Sequence, residues 1–106
     1  MEVNDYQEKA MYYLNSKTKK EDLLLNSAMG LCGEAGEVID LIKKAKFHGH
    51  DLDKDDLIKE LGDVGWYLAQ AATALDIDLE DILQAKLNKL ALRYPEGFSE
   101  KNSKNR

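Results

Sequence analysis

Apolar residues recur along this chain at steps of three and four, the spacing that lines them up along one side of an α-helix. In one stretch the stripe is Leu24, Ala28, Leu31, Ala35, Val38 and Ile42, and it predicts a helix from Glu21 to Phe47, ahead of Gly49. A second stripe, Leu57, Leu61, Val64, Leu68, Ala71 and Leu75, predicts a helix from Lys54 to Leu75. Leu83, Leu87, Leu90 and Tyr94 predict another, opened by Asp78 as its cap and stopped by Pro95. Ahead of these, Asp5 and Glu8 have capping-box spacing, and Tyr6, Ala10, Tyr13 and Leu14 share a face, so a first helix is expected over 5–14. Proline occurs once and β-branched residues are few, so little in the chain favours a sheet. The reading is an all-α, four-helix bundle-like domain over residues 1–98 with short connections. A polar tail, 99–106, follows and is expected to be mobile.

Composition narrows the class. A chain of 106 residues, 43% hydrophobic, builds one modest core, and domains of this size gain from association. The second and third predicted helices are apolar on more than one side, so a homodimer or homotetramer is expected. A formal net charge of −5 argues against nucleic acid or an anionic membrane as partner. No apolar run approaches the roughly 20 residues of a membrane span. Polar, acidic residues 1–9 do not resemble a signal peptide, and one cysteine, Cys32, forms no internal disulfide. The expectation is a cytoplasmic protein, with Cys32 in the core.

Two acidic pairs carry the chemistry: Glu34 with Glu37, and Glu60 with Asp63. Each pair projects from one side of its helix. The ordinary reading of such a pair is a solvated face, but the neighbours argue otherwise. Glu34 and Glu37 share a stripe with Leu23, Ser27, Gly30 and Leu41, while Glu60 and Asp63 share one with Tyr67 and Ala74. Both stripes flank the expected core, where unpaired charge costs several kcal/mol per group if buried. Neither stripe offers a Lys or Arg, so a divalent cation is the simpler partner. Four carboxylates without a thiolate suit Mg²⁺, with Mn²⁺ able to substitute. The Glu-x-x-His pattern of a di-iron bundle is absent, and Asp56 and Gly62 stand where a calcium loop needs Gly and Glu. Gly30, Gly33, Gly36, Gly62 and Gly65 interrupt the same two helices at about 1 kcal/mol each. Such a run points to a close approach there, by a facing helix or by a phosphate–metal group.

The stretches Gly30-Leu-Cys-Gly-Glu-Ala-Gly-Glu-Val-Ile-Asp-Leu-Ile-Lys-Lys44 and Glu60-Leu-Gly-Asp-Val-Gly-Trp-Tyr-Leu68 resemble the all-α nucleotide pyrophosphohydrolases, a superfamily that includes MazG, the dimeric dUTPases and the dCTP pyrophosphatases. Its E-x-x-E, gap, E-x-x-D signature falls on Glu34, Glu37, Glu60 and Asp63. Lys89-Leu-Ala-Leu-Arg-Tyr-Pro-Glu-Gly-Phe98 and Phe47-His-Gly-His50 resemble short MazG-like proteins, whereas Gly65 departs from the large apolar residue usual after E-x-x-D-V. The resemblance implies hydrolysis of a nucleoside triphosphate to the monophosphate and pyrophosphate. It implies Mg²⁺ held by the four acids, Glu34 and Glu37 in catalysis with Glu37 the candidate to activate water, and assembly as dimers or tetramers. A phosphoribosyl-ATP pyrophosphohydrolase and a non-catalytic helical oligomerisation module are the rival readings.

A triphosphate also calls for cations of its own. Lys86, Lys89 and Arg93 lie on one flank of the fourth predicted helix, either as ordinary surface side chains or as a wall facing the phosphates. Tyr67 is the candidate to contact the nucleoside. Trp66 reads as packing, His48 and His50 as turn residues, and Lys43, Lys44 and Lys46 as complements to a helix dipole.

Overall fold

A computed structural model describes residues 1–106 as five helices and no strand. They are α1 (Val3–Met11), α2 (Lys20–Phe47), α3 (Lys54–Ala74), α4 (Leu79–Arg93) and α5 (Glu100–Lys104). The all-α reading holds, and the boundaries of α2, α3 and α4 fall within a residue or two of the expected ones. The first helix is earlier and shorter than expected. Its cap is Glu2, which makes no side-chain bond, so Asp5 and Glu8 form no capping box. It stops at Met11 because Asn15 organises a turn: its side chain accepts from the Lys17 amide at 2.9 Å and its carbonyl from the Thr18 amide at 3.0 Å. Tyr13, placed on the helix face by the sequence pattern, is therefore exposed.

Helix ends explain the connections. Gly49, at φ +73°, closes α2 with the His50 amide donating back to the Lys44 carbonyl at 3.2 Å. Asp53 caps α3, accepting from the Asp55 amide at 2.8 Å. Asp78 occupies the cap position of α4 but makes no cap bond. The first α4 amide, Leu79, instead donates to Gln7 Oε1 of α1 at 2.7 Å. The Gln7 amide nitrogen donates to Thr73 Oγ1 and to the Ile77 carbonyl, both at 3.1 Å, so one α1 side chain clamps the α3–α4 turn. The 99–106 segment is not a bare tail: Ser99 caps α5 through the Asn102 amide at 3.1 Å.

Helices α2 and α3 form a long antiparallel hairpin. Across it Ser27 meets Gln70, Gly30 meets Tyr67, and Glu34 meets Asp63. Helix α1 and the first turns of α4 pack on the other side of α3, around Ala10, Ala69, Ala72 and Leu79, joined by Tyr6, Trp66 and Ile82. Trp66 donates its Nε1–H to the Ala10 carbonyl at 2.9 Å, so its packing role is observed.

The buried face of α2 differs from the expected one. Leu23 and Ser27 are buried, whereas Leu24, Ala28, Cys32, Ala35 and Ile42 are exposed. The seam runs along the flank that holds Glu34, Leu31 and Val38 are half-buried beside it, and Leu25, Met29 and Ile39 stay exposed. Leu61, Leu75, Leu83 and Leu87 are likewise exposed. The consequence is an open molecule. Its surface is 8291 Å², against about 6,000 Å² for a compact monomer of this mass. Its radius of gyration is 17.0 Å, against about 13 Å.

Candidate functional site

The α2–α3 seam is graded from one end to the other. At the level of Ser27 it is dry and neutral: Gln70, only 1% exposed, donates to Ser27 Oγ at 2.9 Å, Asn26 Oδ1 at 2.8 Å and the Leu23 carbonyl at 3.3 Å. Ser27 in turn donates to the Leu23 carbonyl at 2.8 Å. One turn along α2, the Tyr67 ring lies directly on Gly30, where a Cβ would collide with it, and stands edge-on to Trp66 at 5.1 Å. At Gly30 the close approach expected of the glycine run comes from the facing helix, whereas Gly33, Gly36 and Gly62 face open space. Gly65 lies under Tyr6, whose hydroxyl would be 3.8 Å from an added Cβ, so α1 covers the position where a larger residue was expected. Burial raises the Tyr6 phenol above its ordinary range.

One turn further along α2 the seam opens onto the acids. Glu34, Glu60 and Asp63 each offer a carboxylate oxygen, all within 4.8 Å of one another. Glu34 and Glu60 are half-buried and Asp63 is exposed, so none is sunk in a core as the sequence pattern suggested. A hydrogen bond shared with Glu60 raises the Glu34 carboxyl above its ordinary range, helped by desolvation and by the charges of Asp63, Glu60 and Glu37. Glu37 is exposed and stands outside the tight trio, though close enough to act on Glu34.

No ion pair reaches Glu34, Glu60 or Asp63, and Lys44, which feels the Glu37 charge, is paired with Asp40. The ion pairs in the structure are Lys20–Asp76, Lys43–Asp40 and Lys44–Asp40. Asp40 therefore sits well below the ordinary range, held there chiefly by Lys44 at 2.8 Å and then by Lys43 at 3.3 Å. Those two lysines serve a carboxylate as well as the helix end. Three carboxylate oxygens within 4.8 Å, with no cation of the protein's own, fit the coordination sphere of one hard divalent ion.

The other candidates lie elsewhere. Lys89 and Arg93 line a depression with Leu92, Asn102, Asn105 and Arg106, between α4 and α5. Lys86 is exposed on α4. Within the chain α4 packs on α1 and α3 through its first turns, at Leu79 and Ile82. The structure thus gathers the acids and Tyr67 along one seam and leaves the basic flank of α4 apart from them. His48 and His50 are exposed in the α2–α3 turn. Residues Asn102, Asn105 and Arg106 went unremarked in the sequence because a polar tail gives no periodic signal.

Fold and site together define an all-helical protein with a carboxylate cluster set across an antiparallel helix pair. The family model described as the MazG nucleotide pyrophosphohydrolase domain matches residues 24–98, and the chain belongs to that family. It is also 43% identical over 82 residues to the Gene 37 protein of Mycobacterium phage L5, an alignment covering 74% of this chain and 72% of the phage protein. No solved structure matches the chain. No helix is long and apolar enough to cross a membrane. The matched segment holds all four acids and Lys86, Lys89 and Arg93, and leaves out α1 and α5.

Proposed function

We propose that the protein hydrolyses nucleoside triphosphates to the monophosphate and pyrophosphate, in the cytoplasm, as a house-cleaning activity on the nucleotide pool. The observation that carries this reading is the Glu34–Glu60–Asp63 cluster, lacking any basic partner, within a MazG-family segment. These three, with Glu37 alongside, would hold Mg²⁺, or Mn²⁺ in its place. When bound, the ion supplies neutralising charge and polarises water and phosphate oxygens.

The chain's own groups do the remaining work. Glu37, free of the tight trio, accepts a proton from the attacking water, and Glu34 holds its position beside it. Tyr67 is the nucleoside contact closest to the acids. Lys86, Lys89 and Arg93 grip the β- and γ-phosphates as a unit, so attack falls on the α-phosphorus and pyrophosphate departs. These cations reach the acids from a second copy of the chain. The open surface, with Leu25, Met29 and Ile39 each at least 60% exposed along α2, supports a homodimer or homotetramer whose sites lie at subunit boundaries.

Pyrophosphate release across a nucleotide panel that includes phosphoribosyl-ATP tests the activity and its substrate class. A flat panel in Mg²⁺ and Mn²⁺ would remove the proposal. Hydrolysis in ¹⁸O-water tests the bond broken: label belongs in the monophosphate, and label in pyrophosphate overturns attack at the α-phosphorus.

A further inference from the structure

Helix α5 and the turn that precedes it are held in a defined pose. Gly97, at φ +91°, lets the chain reverse after Pro95, and its amide donates to the Tyr94 carbonyl at 3.0 Å. The Tyr94 and Phe98 rings sit 5.4 Å apart across that turn. Ser99 caps α5, and the Arg93 guanidinium lies over the Tyr94 ring at 5.8 Å. The result is a depression of about 480 Å³ between α4 and α5, lined by Lys89, Leu92, Arg93, Asn102, Asn105 and Arg106.

The lining is unusual for this chain. Acidic residues outnumber basic ones, 20 to 15, yet three of these six side chains are cationic, two are amides and none is acidic. The neighbouring Glu96 and Glu100 do not line it. A hydrogen bond with the Ser103 side chain holds the Tyr94 phenol below its ordinary range, and the Arg93 and Arg106 charges act in the same sense. Two guanidinium groups, an ammonium and two amides offer donors from both walls, and guanidinium binds phosphate oxygens in pairs.

We infer that α5 completes an oligophosphate-binding pocket, in which Asn102, Asn105 and Arg106 close over a ligand held from the other side by Lys89 and Arg93. Asn102, Asn105 and Arg106 lie beyond the matched family segment, whereas Lys89, Leu92 and Arg93 lie within it. That the phosphates come from the nucleotide substrate rests on the function proposed above. That they bind here rests on the lining alone.

Titrating the isotope-labelled full chain with inorganic tripolyphosphate in EDTA, at low ionic strength, reads the pocket without metal at the acids. Amide signals of residues 102–106 and the Arg93 side chain should shift, with inorganic phosphate weaker. Arg106→Gln and Asn105→Ala should each weaken binding about tenfold or more, the loss expected for one hydrogen bond to a charged group. Unmoved α5 signals, or parental affinity in both variants, would overturn the inference. The KM for a nucleoside triphosphate in Mg²⁺ then separates the ligand's sources. A matching rise in the Arg106→Gln variant assigns the pocket to the substrate, and an unchanged KM in that variant despite its weakened tripolyphosphate binding assigns it to a free oligophosphate. Should no nucleotide be hydrolysed while tripolyphosphate still shifts α5, the proposed activity falls and the pocket stands.

Discussion

Gly30→Ala should destabilise the protein, against the ordinary preference of helices for alanine. In a free helix interior this change gains about 1 kcal/mol. Here the new Cβ would meet Cδ1, Cε1 and Cζ of Tyr67, far inside van der Waals contact. The ring has two torsions and is braced edge-on by Trp66 at 5.1 Å, so it has little room to yield. Overpacking of this kind costs roughly 1–3 kcal/mol, leaving a net loss of up to about 2 kcal/mol after the helix gain. In a domain of this size that lowers Tm by up to roughly 16 °C. The decisive comparison is a double-mutant cycle by urea and thermal unfolding at one fixed protein concentration. In a Tyr67→Ala background the obstruction is gone, and Gly30→Ala should become stabilising by up to about 1 kcal/mol. A stabilised single variant, or the same sign in both backgrounds, would refute the view that Tyr67 sets the α2–α3 spacing.

In chelator the Glu34 proton is held more tightly in the folded chain than in the unfolded one, so its stabilising contribution is full at acid pH and lost as pH rises through the raised pKa. Glu34→Gln should therefore melt higher than the parent at neutral pH without metal, and should respond less to Mg²⁺; equal Mg²⁺ shifts in the two proteins would contradict the metal assignment. Asp40, held low by Lys44 and Lys43, acts in the opposite sense: its contribution is present above the ordinary carboxylate range and lost as pH falls through its lowered pKa, so Asp40→Asn should flatten the acid limb of a Tm–pH curve. Gln70→Leu removes three hydrogen bonds from a dry seam and should cost about 1–3 kcal/mol, read as a lower urea midpoint. Glu60→Gln and Arg93→Ala, each inactive alone, should recover about a quarter of parental activity after co-refolding if every site draws on both copies of a two-fold dimer; no recovery would place acids and cations in one subunit.

Much of the fold was legible because helix stops are local chemistry. Gly49 and Pro95 mark boundaries that the structure keeps. The end of α1 was misread because Tyr13 and Leu14 extend an apolar pattern that Asn15 then breaks by binding its own backbone. The buried side of α2 was misread for a different reason. A helix apolar on several sides does not reveal which side meets its neighbour, and Leu24, Ala28 and Ile42 were as good a stripe as Leu23 and Ser27. The acids were found because two acid pairs without a basic neighbour stand out in any register. The α4 cap was invisible, since its acceptor, Gln7, lies 72 residues away.

The seam also explains how a cluster of unrelieved carboxylates is tolerated. As α2 runs through 27, 30 and 34, its partners on α3 run back through 70, 67 and 63, so packing and charge occupy successive turns of one interface. The Gln70–Ser27 bonds and the Tyr67–Gly30 contact fix spacing and register on the dry turns. Repulsion among Glu34, Glu60 and Asp63 is thereby confined to the open end, where water and a cation have access. Were the acids one turn nearer Ser27, they would face desolvation without that access, and the hairpin would have to open to relieve them. Placing them beyond the last packed turn leaves the carboxylates close together in the folded chain before any ligand arrives. An ion binding there meets a preformed set of oxygens, and its binding energy is not spent on assembling the helices. The helical circular dichroism of the chelated protein should accordingly match that of the Mg²⁺ form, while Tm differs.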